Sequence, residues 1–265
     1  MRLTKGVLIV GILTRAALFG ATADGVKALE KRDYATAYRE LRAGADKGDA
    51  VAMTSLGQMY ARGWGVDRDM SAALELYRRA ADLGNSHAEY MLGLTYAKGW
   101  GVPQDYAQAS RWYQQAAEQG ESHAQTQMAE LFEDGYGVQQ DYAAAAHYYL
   151  LAARKGLPRA QFGLAQLLEK GRGVKKDAVE AFRWYRQAAK LGFAPAQERL
   201  GAMYSAGIGV EANHAEAFFW STLAAKQQER AAQRRLAAME KRLSAVDAAH
   251  IKATAGSWKP AMALK

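Results

Sequence analysis

Residues 88–105 read AEYMLGLTYAKGWGVPQD, and close variants of this segment occur five times in the chain. The copies keep a constant period of 36 residues, which is clearest at the sequence Gly-x-Gly-Val inside each copy. The first glycine of this sequence lies at Gly63, Gly99, Gly135, Gly171 and Gly207. Self-similarity at a fixed period of this length is typical of proteins built from stacked supersecondary units. The sequence therefore predicts a repeat protein.

An apolar pattern with helical spacing precedes each Gly-x-Gly-Val sequence. In the second copy its members are Ala88, Leu92, Gly93 and Tyr96, which follow one another at intervals of four, one and three residues. This spacing places all four side chains on one face of a helix. The other copies keep an alanine, a large apolar residue, a glycine or alanine, and a large apolar or aromatic residue. We predict that this face is buried and that the small residue lets a second helix approach closely.

A second helix is predicted after each glycine loop. Its first residue is preceded by an Asp or Asn, whose side-chain oxygen can cap the free amides of a first helical turn: Asp69, Asp105, Asp141, Asp177 and Asn213. A recurring aromatic column follows and favours core packing: Tyr77, Tyr113, Tyr149 and Tyr185, with Trp112, Trp184 and Trp220 beside it. Gly84, Gly120, Gly156 and Gly192 end the pattern. Each unit is thus predicted to be helix, glycine loop, helix and glycine turn.

These residues resemble the Sel1-like repeat, a relative of the tetratricopeptide repeat with a longer, glycine-rich loop. The resemblance covers residues 49–225 and implies an all-α fold, a right-handed α-solenoid of stacked antiparallel helix pairs. Residues 24–48 resemble the second helix of a degenerate opening repeat. We expect residues 226–258 to form C-terminal capping helices, with one helix from Lys226 to Arg242 and another after Ser244, and residues 259–265 to form a flexible tail.

The first 23 residues have the features of an export signal. Arg2 and Lys5 precede an apolar run from Val7 to Leu13, and Ala21-Thr22-Ala23 supplies a small-x-small cleavage pattern. We predict cleavage after Ala23 and a periplasmic or secreted protein. Arg15 is unfavourable for insertion into the translocon, so the alternative is a cytoplasmic protein with a non-functional signal.

Charge is distributed unevenly along the chain, whose formal net charge is +8. Residues 1–23 carry three basic residues and no acid, and the segment from Lys226 to Lys265 carries nine basic and three acidic residues, a net of +6. The repeats therefore hold 8 − 3 − 6 = −1. Any argument for nucleic acid as a partner therefore has to rest on the C-terminal helices alone, and export makes nucleic acid the least expected partner. The basic run from Arg230 to Arg242 favours a solvated helix face, and the alternatives are binding of cell-envelope components such as anionic lipid or polysaccharide, or of nucleic acid.

No motif in the chain points to a catalytic centre, a cofactor or a metal. The absence of cysteine excludes thiolate ligands and cysteine nucleophiles. The glycine loops lack the third glycine of a dinucleotide fingerprint and the Gly-Lys-Ser/Thr of a P-loop, so we assign them to backbone geometry. His87 and His123 occupy one repeat position and should lie side by side, but no third ligand for zinc is evident. We therefore predict a protein without enzymatic activity.

The predicted partner surface is the concave side of the solenoid, lined by first-helix positions outside the buried stripe. Two columns there change from repeat to repeat: Gln58, Leu94, Glu130 and Gln166, and Arg62, Lys98, Asp134 and Lys170. The loop residues Trp64 and Trp100 belong to a third variable column and are added to this surface. Varied side chains on a constant frame favour recognition of another protein.

The resemblance also implies a function. Bacterial Sel1-like proteins serve as adaptor or scaffold modules, which makes an exported protein-binding scaffold our principal hypothesis. The alternative is a hydrolase acting on cell-wall material or β-lactams, or a peptidoglycan-binding protein, because some cysteine-rich relatives have been linked to β-lactam hydrolysis. The lack of cysteine in this chain weakens that alternative.

Overall fold

The computed structural model describes residues 22–227 and 230–261, without the side chains at 231, 235, 237 and 238. All regular secondary structure in these residues is helical, which confirms the predicted all-α class. Helix α1 covers residues 22–30. The helices that follow are α2 (Tyr34–Asp46), α3 (Ala50–Arg62), α4 (Met70–Asp82), α5 (Ser86–Lys98), α6 (Tyr106–Glu118), α7 (Ser122–Asp134), α8 (Tyr142–Arg154), α9 (Pro158–Lys170), α10 (Ala178–Lys190), α11 (Ala194–Ala206), α12 (His214–Lys226), α13 (Arg230–Glu240) and α14 (Ala245–Ser257).

Each repeat contributes a first helix and a second helix that pack as a pair. The first helices are α3, α5, α7, α9 and α11, and the second helices are α4, α6, α8, α10 and α12. The chain divides into two compact units, with the division between Ala124 and Gln125 in α7. Each unit has its own core of buried alanine, leucine, methionine and aromatic side chains.

The second helices begin where the sequence predicts. Asp69 Oδ1 accepts hydrogen bonds from the backbone amides of Ser71 and Ala72, both at 2.9 Å. The same capping bond to the first turn is made at Asp105, Asp141, Asp177 and Asn213. A cap of this kind satisfies amides that have no partner within the helix. The capping column is confirmed in all five repeats.

The glycine loops are set by backbone geometry. Gly63 ends α3 with φ at +68°, and Gly65 has φ at +70°, a region that side chains disfavour. A Cβ atom on Gly65 would lie 2.4 Å from Cβ of Tyr34. The amide of Asp69 donates to the carbonyl of Tyr60 at 3.0 Å and closes the loop. Both glycines are therefore needed to return the chain to the start of the second helix.

In the first two repeats, a glycine of the first helix packs against a tyrosine of the second helix. A Cβ atom on Gly57 would lie 2.7 Å from Cε1 of Tyr77, so the ring fills the space that the glycine leaves. The tyrosine column is buried as predicted. The tryptophans beside it differ, because Trp220 is buried whereas Trp112 and Trp184 are only half-buried. The prediction that these two tryptophans belong to the core is therefore only partly correct.

The C-terminal helices differ from the predicted bounds. Lys226 is the last residue of α12 and α13 begins at Arg230, so the prediction of one helix from Lys226 to Arg242 is wrong. Ser244 caps α14 as predicted, since its hydroxyl accepts from the amide of Asp247 at 3.1 Å. Both α13 and α14 pack against α12, where Phe218 and Met239 share a small buried cluster.

The predicted export signal lies mostly outside the described residues, which begin at Thr22. Thr22 and Ala23 form part of α1, and the Thr22 hydroxyl donates to Oδ2 of Asp49 at 3.1 Å. Within the described residues, none of the helices combines the length and the apolar character that crossing a bilayer requires.

Candidate partner-binding surface

In each unit, the two predicted columns of variable residues are half-buried or exposed on the first helices. In α3 and α5, Gln58 and Leu94 are half-buried, whereas Arg62 and Lys98, one turn later, are exposed. The same division holds in the second unit, where Glu130 and Gln166 are half-buried and Asp134 and Lys170 are exposed. We call the surface that these residues form in each unit the first-helix face of that unit.

In the first unit a cavity of about 180 Å³ opens on the first-helix face between repeats 1 and 2. It brings together three of the predicted residues, Arg62, Leu94 and Trp100. The Trp100 side chain is 42% exposed, as expected for a residue that is not needed for packing. Apolar contact with Leu94 and Trp100 and a positive charge from Arg62 are therefore available at one place.

Trp64 does not join this cavity. Its ring stacks on Tyr34 with the centroids 6.1 Å apart, and the Arg62 guanidinium carbon lies 4.6 Å from the centre of the Trp64 ring. These contacts leave Trp64 half-buried and hold Arg62 over it by a cation–π interaction. Trp64 thus orients Arg62 at the cavity rather than standing in solvent like Trp100.

A buried tyrosine forms part of the cavity wall. Tyr77 has no exposed surface, and its hydroxyl has no hydrogen-bond partner among the described residues. Burial raises the pKa of Tyr77 because the phenolate would be poorly solvated, so the hydroxyl keeps its proton and is a donor. The sequence predicted the buried ring but did not indicate that its hydroxyl would lack a hydrogen-bond partner.

In the second unit a larger cavity of about 730 Å³ lies between repeats 4 and 5. The predicted residues Gln166 and Lys170 line it together with Arg172, which occupies the loop position of Trp100. An ion pair between Glu169 and Arg199 also lies in its wall. This cavity is therefore mainly polar, in contrast to the cavity of the first unit.

Glu130 is engaged by other side chains of the second unit. Its carboxylate pairs with Arg159, which lies 29 residues later on the next first helix, and accepts from Gln127 Nε2 at 2.9 Å. Asp134 is exposed one turn further on. Of these two predicted residues, Asp134 is the one that presents its charge to solvent.

Two histidines of the first unit lie side by side, as predicted, and share one carboxylate. Glu121 Oε1 lies 3.1 Å from His123 Nδ1, and Glu121 Oε2 lies 3.6 Å from His87 Nδ1. The ring of Tyr90 lies between the two imidazoles, 5.8 Å from His87 and 5.7 Å from His123. Gln58 Nε2 and His87 Nε2 are 2.8 Å apart, so this cluster continues onto the first-helix face.

The Glu121 carboxylate was missed in the sequence prediction. It occupies the repeat position of Asp49 and Asn85, whose side chains cap α3 and α5, and that alignment could have placed it at the start of α7. Its hydrogen bond to His123 and its contact with His87 hold the pKa of Glu121 far below its usual range, and the hydrogen bond to Glu121 raises the pKa of His123. The described residues hold no group of three or more histidines and carboxylates arranged to bind a metal ion.

Comparison with known proteins gives one family. A family model for the Sel1 repeat matches residues 50–85, 86–121, 122–157, 158–193 and 194–229. The crystal structure of a Sel1 repeat protein from Oxalobacter formigenes is similar over 91% of this chain and 98% of that chain, with 28% sequence identity and a TM-score of 0.76. The comparison with curated proteins gave no match.

A second solved structure is c5321, a protective antigen present in uropathogenic Escherichia coli strains that displays an SLR fold. It is 26% identical, with a TM-score of 0.57, and the similarity covers 94% of this chain and 65% of that chain. The family matches run without interruption from residue 50 to residue 229 and coincide with the helix pairs described above. The chain therefore belongs to the Sel1 repeat family.

Proposed function

We propose that this protein is a non-catalytic scaffold that binds another protein through its first-helix face. Sel1 repeat proteins are generally protein-interaction scaffolds. The observation that carries the proposal is the contrast between constant and variable positions. Residues that pack the helix pairs are nearly the same in every repeat, whereas the residues on the first-helix face differ in charge and size.

The charges of the first-helix face favour a partner with a defined charge pattern. Arg62 and Lys98 are exposed cations in the first unit, and Asp134 and Lys170 are exposed charges of opposite sign in the second. Complementary charges across an interface contribute mainly to specificity and to the rate of association. Such a face discriminates among protein partners without a reaction centre.

Site-specific crosslinking in cells tests this proposal. A photoreactive residue at Leu94, on the first-helix face, should capture one discrete protein species. The matched control places the photoreactive residue at Gln115, which is exposed on the second helix α6, and should not capture that protein. Equal capture from both positions would contradict the proposal, because the first-helix face would then have no special role.

Charge reversal tests whether the captured protein binds specifically. We expect Lys98→Glu to weaken binding of the purified protein by about tenfold, which corresponds to about 1.4 kcal/mol. Arg111→Glu, an exposed reversal on α6, should leave the Kd unchanged. Turnover of a β-lactam by the purified protein, lost in the Lys98→Glu variant, would favour the alternative function of cell-wall or β-lactam hydrolysis.

We also propose that the protein is exported and works in the periplasm or outside the cell. The support is the arrangement of Arg2, Lys5, the apolar run from Val7 to Leu13 and the small residues before Asp24. The basic C-terminal helices then lie in the compartment that contains the cell envelope. Contact with envelope components through these helices is a further part of the proposal.

A further inference from the structure

In the second unit, two hydroxyl groups of the tyrosine column bind a carboxylate of the chain itself. The Tyr149 hydroxyl donates to Glu133 Oε2 at 3.0 Å, and the Tyr185 hydroxyl donates to Glu169 Oε2 at 2.9 Å. In both cases the glutamate lies 16 residues before the tyrosine, at the end of the first helix of the same repeat. A glutamate carboxylate is therefore the group to which the tyrosine hydroxyl of this column donates.

The first repeat has the tyrosine without the glutamate. Tyr77 occupies the same column, but the residue 16 positions earlier is Ala61. Tyr77 is fully buried, and its hydroxyl has no hydrogen-bond partner among the described residues. A buried hydroxyl without a partner is unfavourable, so the site has an unused capacity to donate a hydrogen bond.

The space beside Ala61 is the cavity of about 180 Å³ in the first unit. Arg62 and Arg68 line it, none of its lining residues is acidic, and neither arginine is in an ion pair with a described residue. Arg62 and Tyr77 lie in the wall of the same cavity. Two arginine side chains and the buried Tyr77 thus line a space that holds no carboxylate of the chain, which suits a carboxylate from outside.

The rest of the wall suits the aliphatic part of a glutamate. Met91 and Leu94 of α5 line the cavity, and Trp100 stands at the exposed edge. Arg62, Arg68 and Trp100 are all exposed, so the cavity can be reached from solvent. A glutamate that enters from outside would place its methylene groups on these apolar side chains and its carboxylate at the Tyr77 hydroxyl.

We propose that this cavity receives the side chain of a glutamate from the protein partner and binds its carboxylate through Tyr77, Arg62 and Arg68. The partner's glutamate takes the place that Glu133 and Glu169 fill within the chain. This inference rests on the proposed scaffold function and names the chemistry of one anchor residue on the partner.

The test uses the full-length protein and a small probe, the α-amide of N-acetyl-glutamate, with chemical shifts of the tryptophan indole groups as readout. We expect saturable shifts at Trp100 with this probe, and none with the matching glutamine amide. Tyr77→Phe removes a hydroxyl that has no partner, so this variant should fold normally and lose most of the affinity. Arg62→Gln should also weaken binding, whereas Arg111→Gln, a surface control, should not.

A second variant fills the cavity from within the chain. Ala61→Glu should place a carboxylate beside Tyr77, as Glu133 does beside Tyr149, and should abolish probe binding while raising the Tm. No binding to the wild type, equal binding of the glutamine amide, or unchanged binding to Tyr77→Phe would overturn the proposal. Stronger binding of N-acetyl-glycine would also overturn it, because the site would then select a terminal carboxylate.

Crosslinking from a photoreactive residue at Lys98, which is exposed on the first-helix face and does not line the cavity, separates this inference from the scaffold proposal. If the wild-type protein and Tyr77→Phe capture the same partner equally well, the scaffold proposal stands and the glutamate anchor is wrong. If the wild type captures no partner although the probe binds, the scaffold proposal fails while the cavity keeps its assigned chemistry. Loss of both the probe and the crosslink in Tyr77→Phe supports both.

Discussion

At the scale of single residues, the contact between Glu121 and His123 makes the stability of the first unit depend on pH. The Glu121 pKa is lowered in the folded protein. The carboxylate therefore adds to the free energy of unfolding above its usual pKa of 4.5, and this contribution is lost as the pH falls through the pKa of the folded state. The His123 pKa is raised in the folded protein. The protonated imidazole therefore adds to the free energy of unfolding below its usual pKa of 6.5, and this contribution is lost as the pH rises through the pKa of the folded state. Both contributions to stability are fully present between pH 4.5 and pH 6.5.

We therefore predict that His123→Gln destabilises the protein most between about pH 4.5 and 6.5. The loss should be small, about 0.2–1 kcal/mol, because the His123 side chain is 60% exposed and solvent screens the pair. Urea unfolding at a series of pH values measures it. His250→Gln, an exposed control on α14, should show no such dependence, and a His123→Gln loss that does not change with pH would contradict the assignment.

The small residue at the helix contact gives a second prediction at the residue scale. Glycine within a helix is usually unfavourable, so replacement by alanine stabilises an exposed helix by about 1 kcal/mol. At Gly93 the added Cβ would lie 2.4 Å from Cδ1 of Tyr113, which forces the two helices apart. We expect Gly93→Ala to lower the free energy of unfolding by about 1–3 kcal/mol.

Gly256 is the matched control for this substitution. It lies in α14, and the nearest atom to its added Cβ is Lys226 Nζ at 3.9 Å. Gly256→Ala should therefore be neutral or slightly stabilising in the same urea unfolding experiment. The opposite signs of the two changes separate close packing from helix propensity, and a stabilising Gly93→Ala would show that the small residue is not required.

At the scale of helices, the capping aspartates stabilise the first turn of the second helices. Asp177 Oδ1 accepts from the amides of Val179 at 3.0 Å and Glu180 at 2.9 Å. We expect Asp177→Ala to cost about 1 kcal/mol in thermal unfolding. Asp177→Asn keeps an acceptor oxygen and should cost much less. Equal losses in the two variants would show that the charge, rather than the hydrogen bonds, stabilises the helix start.

The helices were predictable from the sequence because each repeat contains its own local signals. Glycine at positive φ, an aspartate cap and an apolar stripe at helical spacing all act within a single repeat, and Gly63 and Asp69 behave as expected. The contacts between repeats were harder to predict. Pairs such as Glu130 with Arg159 and Glu169 with Arg199 join residues 29 and 30 positions apart. Their meeting depends on how neighbouring helices pack, which helical periodicity does not specify.

The candidate site was likewise predictable from the sequence only in part. The sequence indicated Arg62, Leu94 and Trp100 as variable and therefore available, and the structure brings these three together at one cavity. It did not reveal the unpaired Tyr77 hydroxyl, because a tyrosine in a conserved core column looks the same whether or not its hydroxyl is bonded. The prediction of one helix from Lys226 to Arg242 was wrong for a related reason, since repeat periodicity gives no boundary where the pattern ends at Lys226.

At the scale of the whole molecule, export makes a prediction about the mature chain. If the signal functions, the protein recovered from the periplasm should begin at Asp24, as read by N-terminal sequencing. Arg15→Leu should speed processing, because it removes a charge that opposes insertion. Cleavage would remove Thr22 and its bond to Asp49, but Asp49 keeps its bonds to the amides of Val51 and Ala52. Full-length protein confined to the cytoplasm would contradict export.

The uneven charge of the molecule gives the last prediction, which concerns attachment to the cell envelope. The chain from Lys226 to Lys265 has a net charge of +6, and Arg234, Arg242 and Lys252 are exposed in the described part of it. Attraction of these charges to an anionic surface is screened over about 8 Å at physiological ionic strength and about 3 Å at 1 M salt. We therefore expect the protein to bind vesicles containing anionic lipid at low salt and to be released as salt is raised. Replacing Arg234 and Arg242 with Gln should weaken binding, whereas the same change at Arg111 and Arg183, which are exposed on second helices, should have little effect. Equal losses from the two pairs would mean that only the total charge matters, and binding that persists at 1 M salt would assign the attachment to apolar contacts instead.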